Sequence, residues 1–123
     1  MKKIYLSIPY TWNPERSFQI ANKVAAELML AGNVVYSPIS MGHNIADHLP
    51  EEARTSSDWW RKYEPAFIEW CDEMVVVRII DRNAPEYLID GWDLIKNSKG
   101  CQAEMQLARD LNKPIKYHNI WRQ

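Results

Sequence analysis

An α/β domain, built on an open parallel sheet of four to five strands with flanking helices, is the fold class this sequence predicts. Three observations lead there. Short apolar runs of strand length alternate with amphipathic helical segments along the chain. The run Met74–Ile80 is apolar almost throughout and rich in Val and Ile, as expected of a strand covered on both faces. The chain of 123 residues is long enough to bury a real core, and residues 1–123 are expected to form a single domain. Strands and helices interleaved at this spacing give right-handed βαβ units and a sheet whose ligand lies beyond the strands' carboxyl ends.

Each element has its own justification. Lys3–Ile8 reads as the first strand, followed by a loop through Pro9-Tyr10-Thr11-Trp12. Asn13 caps the first helix with Pro14 at its first position, and Phe18, Ala21, Ala25 and Leu28 give that helix a buried face. Gly32 ends it, and Asn33–Ser37 is the second strand, stopped by Pro38. Ser40 to about Ser56 reads as a polar loop carrying His43, Asp47 and His48. Asp58–Tyr63 and Pro65–Cys71 read as helices, with Glu64 capping the second. Met74–Ile80 is the third strand, and Asp81 to Ser98 forms a long loop of the kind that usually carries function. Gln102–Leu111 is the last helix and Pro114–Tyr117 the last strand.

Composition excludes several classes. A net charge of -1 gives no electrostatic footprint for nucleic-acid polymers or anionic membranes. Cys71 and Cys101 form no CxxC pair and no disulfide framework. The start is too short for a signal peptide and no apolar stretch approaches a membrane span, so a soluble, cytoplasmic protein is expected. His43, Asp47 and His48 fit no established ligand spacing, and Ser98-Lys99-Gly100 lacks the spacing of a phosphate-binding P-loop. Neither a metal nor a cofactor is expected. The cluster Trp59, Trp60, Tyr63, Phe67 and Trp70 has helical spacing and reads as core or subunit interface.

Glu104 is the residue out of place. The last helix has a stripe at 104, 107, 108 and 111, of which Leu107, Ala108 and Leu111 are apolar and the fourth is a carboxylate. Burying an unpaired charge costs several kcal/mol or shifts its pKa, so Glu104 either escapes the stripe to pair with Lys99 or serves chemistry. Three loops converge where the fold places a ligand: Ile8–Asn13, Ser37–Asp47 and Asp81–Ser98. They bring Tyr10, Ser37, His43, Asp90 and Trp92 as substrate-binding candidates beside Glu104. Trp92 is the aromatic best placed against a planar ligand, with simple packing as its alternative.

These residues carry a resemblance. Ile4-Tyr5-Leu6 with Pro9-Tyr10, then Ser37-Pro38-Ile39-Ser40, then Cys71-Asp72-Glu73, then Asp90-Gly91-Trp92 and Ser98-Lys99-Gly100-Cys101-Gln102-Ala103-Glu104 follow one another in the order of a known family. The chain resembles the nucleoside 2-deoxyribosyltransferase superfamily, with its Rossmann- or flavodoxin-like sheet. It is most similar to the branch of small phage and bacterial proteins of uncertain function, and to nucleoside 5′-monophosphate N-glycosidases. The family's glycine-lysine-proline turn before its last strand reads Asn112-Lys113-Pro114 here. The resemblance covers essentially the whole chain.

By that resemblance Glu104 is the nucleophile that attacks C1′ of the sugar, and Tyr5 is the tyrosine that orients it. Glu64 stands where the family carries its second carboxylate, an Asp. Ser98 and Gly100 match the segment that binds phosphate in the hydrolases, where the transferases carry Asp in place of Ser98. The implied function is hydrolysis of the N-glycosidic bond of a (deoxy)nucleoside 5′-monophosphate through a covalent glycosyl-Glu intermediate. The alternatives are base exchange by a deoxyribosyltransferase and a non-catalytic nucleotide-binding or sensing module. The loop after the first strand lacks the Arg those hydrolases use for phosphate, leaving Thr11, Arg16 or Ser7 to replace it. The implied partners are a small-molecule nucleotide or nucleoside and a second copy of the chain, in a homodimer or higher homo-oligomer.

Overall fold

The computed structural model describes residues 1–81 and 92–122. Among these, β1 (Lys3–Ser7), β2 (Val34–Tyr36), β3 (Glu73–Asp81) and β4 (Ile115–Arg122) form one parallel sheet in the order β2-β1-β3-β4. The chain runs outward from β1 to β2, then returns past β1 to β3. Strand order therefore reverses between β1 and β3, and a crevice opens beyond their carboxyl ends. The helices are α1 (Pro14–Leu30), α2 (Pro38–Ile45), α3 (Glu51–Arg54), α4 (Ser57–Arg61), α5 (Glu64–Trp70), α6 (Trp92–Lys96) and α7 (Lys99–Asp110).

Alternation along the strands builds a core on each face of the sheet. Ile4, Leu6 and Ile8 join Val75, Val77 and Ile79 to pack on Ile20, Ala21 and Val24 of α1. Tyr5, Met74 and Val76 point the other way, onto Ile68 of α5, Ile95 of α6, and Cys101, Met105 and Ala108 of α7. Each fully buried aliphatic side chain here stabilises the fold by about 1.5–3 kcal/mol. β3 is apolar on both faces because it sits between these two layers.

Several elements differ from the sequence expectation, each for a physical reason. The buried face of α1 is Ser17, Ile20, Ala21 and Val24, rather than one containing Phe18. Ser17 tolerates burial because its hydroxyl donates to the Pro9 carbonyl, which frees Phe18 to stack on His43 with ring centroids 4.2 Å apart. The expected polar loop from Ser40 to Ser56 is instead α2, a 3-10 turn at Ala46–His48, and α3. Pro38 stops β2 and also opens α2, since a proline fits the first helical position. Glu64 is the first residue of α5, and Tyr63 holds the cap position.

The end of the expected Asp81–Ser98 loop holds α6. Helix α7 begins at Lys99 rather than Gln102, capped by Ser98, whose side chain accepts from Cys101 N at 3.2 Å. Its buried stripe is Cys101, Glu104, Met105 and Ala108, while Leu111 is 39% exposed. Glu104 thus lies on the buried face, in the second turn rather than the first. Asn112 follows α7 in the left-handed conformation, φ 57°, which explains how Asn serves where the family turn has Gly. β4 runs to Arg122, five residues beyond the expected end at Tyr117, because β3 offers ladder partners as far as Asp81.

Candidate active site

A cavity of about 850 Å³ occupies the crevice beyond β1. Tyr5 of β1 and Glu104 of α7 both face it, as do Tyr10, His43, Glu64, Ser98 and Gly100. The structure thus brings together seven of the ten residues singled out from the sequence. Ser37 does not line the cavity, and its hydroxyl is hydrogen-bonded to that of Ser40 at 2.8 Å. Asp90 lies outside the described residues. Trp92 opens α6, and its side chain lies outside the described set.

Glu104 is buried, 9% accessible, and among the described residues neither its Oε2 nor the buried Tyr5 hydroxyl makes a hydrogen bond of good geometry, although the two groups lie close enough to shift each other's titration. Orphan polar atoms are costly in a core, about 1–3 kcal/mol each, and persist where a ligand satisfies them. Burial pushes the Glu104 carboxyl up to about 8, helped by the charge of Glu64 and opposed by Ser7, Tyr5 and Arg61. Burial likewise raises Glu64 to about 7, with Arg61 opposing. The Tyr5 phenol is held far above its ordinary range by burial first and then by Glu104 and Glu64, so it stays protonated. Two carboxyls with raised pKa values on one cavity wall titrate near neutrality, where one can hold a proton while the other is ionised.

Gly100 stands one turn before Glu104 on α7. A Cβ there would lie 3.8 Å from Glu104 Oε1, so even alanine would add an apolar contact to the carboxyl on the cavity wall. Ser7 is buried beneath the site and its hydroxyl donates to Cys101 Sγ at 3.4 Å, so it is a floor residue. Burial pushes the Cys101 thiol up to about 12, which keeps it neutral. Of the replacements for the missing phosphate Arg, Thr11 reaches the cavity and Arg16 does not.

Residues that the sequence did not mark also line the cavity. Trp59, Trp60, Tyr63 and Arg61 come from α4 and the turn after it, and Tyr36 from the end of β2. The aromatic cluster therefore divides: Trp59, Trp60 and Tyr63 face the cavity, whereas Phe67 and Trp70 pack on the core beside α5. Helical spacing alone cannot make that division, because it fixes relative direction and not which neighbour is faced. Among the described residues no group of His, Cys, Asp or Glu could hold a metal ion, and no helix is long and apolar enough to cross a membrane.

Residues 2–120 match the family described as Domain of unknown function (DUF1937). The chain belongs to this family. The fold of this DUF1937 member is that of the 2-deoxyribosyltransferases. It superposes on the 2-deoxyribosyltransferase of Bacillus psychrosaccharolyticus with a TM-score of 0.59 at 23% identity, covering 95% of this chain and 72% of that one. The Leishmania mexicana enzyme gives a TM-score of 0.58 at 18% identity, covering 97% of this chain and 65% of the other. Identities this low establish a shared fold and nothing finer. No curated protein sequence matches the chain.

Proposed function

We propose that this chain is a nucleoside-processing enzyme that transfers a deoxyribosyl group between bases, with Glu104 as nucleophile. The observation that carries this reading is the buried Glu104 Oε2 beside the buried Tyr5 hydroxyl, both without a hydrogen-bond partner among the described residues, on the wall of a cavity large enough for a nucleoside. A Glu104 carboxylate oxygen forms an ester bond to C1′ of the sugar as the C1′–N bond breaks, its electron pair leaving with the base. Near neutrality Glu64 and Glu104 hold about one proton between them, and in the reactive form Glu64 carries it while Glu104 is ionised, so that Glu64 supplies a proton to that base. A second base then attacks C1′, releases Glu104 and returns a proton to Glu64. Tyr5 remains protonated, so its hydroxyl can donate to the ionised Glu104 and orient it for attack.

The transferase reading takes precedence over the hydrolase expected from the sequence on two grounds. The fold neighbours carry the name 2-deoxyribosyltransferase. Ser98, on which the phosphate expectation rested, uses its oxygen to cap α7. One observation favours nucleotide hydrolysis as the second reading: Arg61 is half-buried on the cavity wall and makes no ion pair among the described residues. Its planar fork suits a phosphate.

Incubation with a deoxynucleoside and a different free base, followed by chromatography, tests both. A new nucleoside is the expected product. Free base without a new nucleoside, formed faster from monophosphates, would favour hydrolysis. Absence of both products across a panel of deoxynucleosides and their monophosphates would refute glycosyl transfer and hydrolysis together.

A further inference from the structure

A hydrogen-bonded chain of three side chains crosses the cavity mouth, and its chemistry is fixed by its outer end. The Tyr10 hydroxyl lies 2.7 Å from His43 Nδ1, and His43 Nε2 lies 3.2 Å from Glu15 Oε2. Phe18 stacks on the imidazole and holds its plane. The Glu15 carboxyl is lowered below its ordinary value, by the Gln19 amide first and then by His43, so it is an ionised, accept-only group. Nε2 must therefore carry the proton. In the neutral imidazole Nδ1 is then bare and accepts, and Tyr10 must donate to it. Burial, with the charges of Glu15 and Asp47 behind it, raises the Tyr10 pKa and keeps its single proton in place.

With that proton committed to His43, Tyr10 can only accept from anything in the cavity. We propose that Tyr10, set by His43 and Glu15, is a specificity-determining acceptor that selects a nucleobase with an exocyclic amine over one with a carbonyl at the same place. This rests on the nucleoside reading above. In a displacement at C1′ the departing base lies on the side of the sugar away from Glu104. Tyr10 and His43 line the same cavity as Glu104 but from other elements, the loop after β1 and α2, which makes them candidates to meet that base. A carbonyl facing Tyr10 would set two acceptors against each other, whereas an amine donates. A site that hydrogen-bonds one group rejects the analogue that cannot make the bond, and the part-buried Tyr10–His43 pair places the expected discrimination at the modest end. Glu15 is largely exposed and acts on the ligand only through His43, so it is a positioning residue.

The test is calorimetric binding of 2′-deoxyadenosine and 2′-deoxyinosine to the full chain carrying Glu104→Gln, which stops turnover. It is run at about pH 8.5, above the ordinary imidazole range. An affinity ratio of about 10-fold or more for the amine is expected. Tyr10→Phe should bring the ratio close to one. Glu15→Gln, whose amide both donates and accepts, should shrink the ratio by releasing the imidazole tautomer, an effect that a merely structural Glu15 would not have. Equal affinities without these changes, or a preference that survives Tyr10→Phe, overturn the role of Tyr10 and leave the nucleoside reading standing. If neither nucleoside binds, the nucleoside reading fails and this inference fails with it.

Discussion

Replacing Glu104 by Gln separates the cost of the candidate nucleophile from its use. The carboxyl is raised from 4.5 to about 8 because the folded chain buries it. A folded-state pKa above the unfolded value means that the native state holds the proton more tightly. Below about pH 4.5 both states are protonated and the group is neutral toward stability. As pH rises toward 8 the unfolded chain ionises freely while the folded one resists, and stability falls. At about 1.4 kcal/mol per pH unit the full span corresponds to roughly 5 kcal/mol, a ceiling reached only above pH 8. Part of that span is repulsion from Glu64, so roughly 2–4 kcal/mol is the expectation for the single substitution.

Gln cannot ionise. Thermal unfolding of both proteins at pH 5 and pH 8.5 therefore isolates the charge, because packing differences between carboxyl and amide cancel between the two pH values. For a chain of this size about 1 kcal/mol moves Tm by roughly 3–5 °C. Glu104→Gln should gain about 6–20 °C relative to the parent on going from pH 5 to pH 8.5. Base release should fall by several orders of magnitude in the same protein, since an amide does not form the glycosyl ester. A Tm difference that is the same at both pH values would refute the buried-charge argument. Full activity would refute the nucleophile.

Three further outcomes follow from the geometry. The rate should be bell-shaped in pH with its maximum between about 7 and 8, where Glu64 and Glu104 share one proton, and Glu64→Gln should distort that bell; a flat profile from pH 6 to 9 contradicts the paired carboxyls. Ser98→Ala removes the cap of α7 and should cost about 1 kcal/mol, read as a lower urea midpoint; an unchanged midpoint shows that the cap contributes nothing. Met41, Ile45 and Tyr63 on the cavity wall are 44%, 42% and 42% exposed, and a homodimer covering them is proposed: Met41→Glu should lower the mass by light scattering, and a monomeric parent at micromolar concentration rules it out.

What the sequence made legible depended on whether a signal was local. β3 was readable because a strand covered on both faces has to be apolar throughout, and α1 because Asn13 and Pro14 set its start. Helix α2 was not, because Pro38 both stops a strand and starts a helix, and only the packing against α1 decides that it does both. Glu104 was legible as an anomaly even though the stripe around it was read three residues too far along the helix: a carboxylate at 104 lies on the buried face in either reading. The cavity wall from α4 was illegible. Nothing in Trp59-Trp60-Arg61 states that this short helix lines the same cavity as the start of α7, which lies some 40 positions further along the chain.

The position of Glu104 also says why the carboxylate can be buried at all. Further along α7 the same stripe, at Met105 and Ala108, is sealed against β1, β3 and α5. A carboxylate there would have neither water nor a ligand to satisfy it, at a cost of several kcal/mol. At Glu104 the stripe instead borders the cavity beyond the carboxyl end of β1, beside the switch point of strand order between β1 and β3. Gly100, one turn earlier, borders the same cavity, and a Cβ there would lie 3.8 Å from Glu104 Oε1. In that zone the helix turns a charged group toward an interior cavity while Cys101, Met105 and Ala108 seal the core on either side of it. The buried charge, the orphan Tyr5 hydroxyl and the missing side chain at Gly100 all lie in that zone. Stability alone would favour Leu at 104, Phe at 5 and Ala at 100, and a site that binds and attacks a sugar accounts for all three departures.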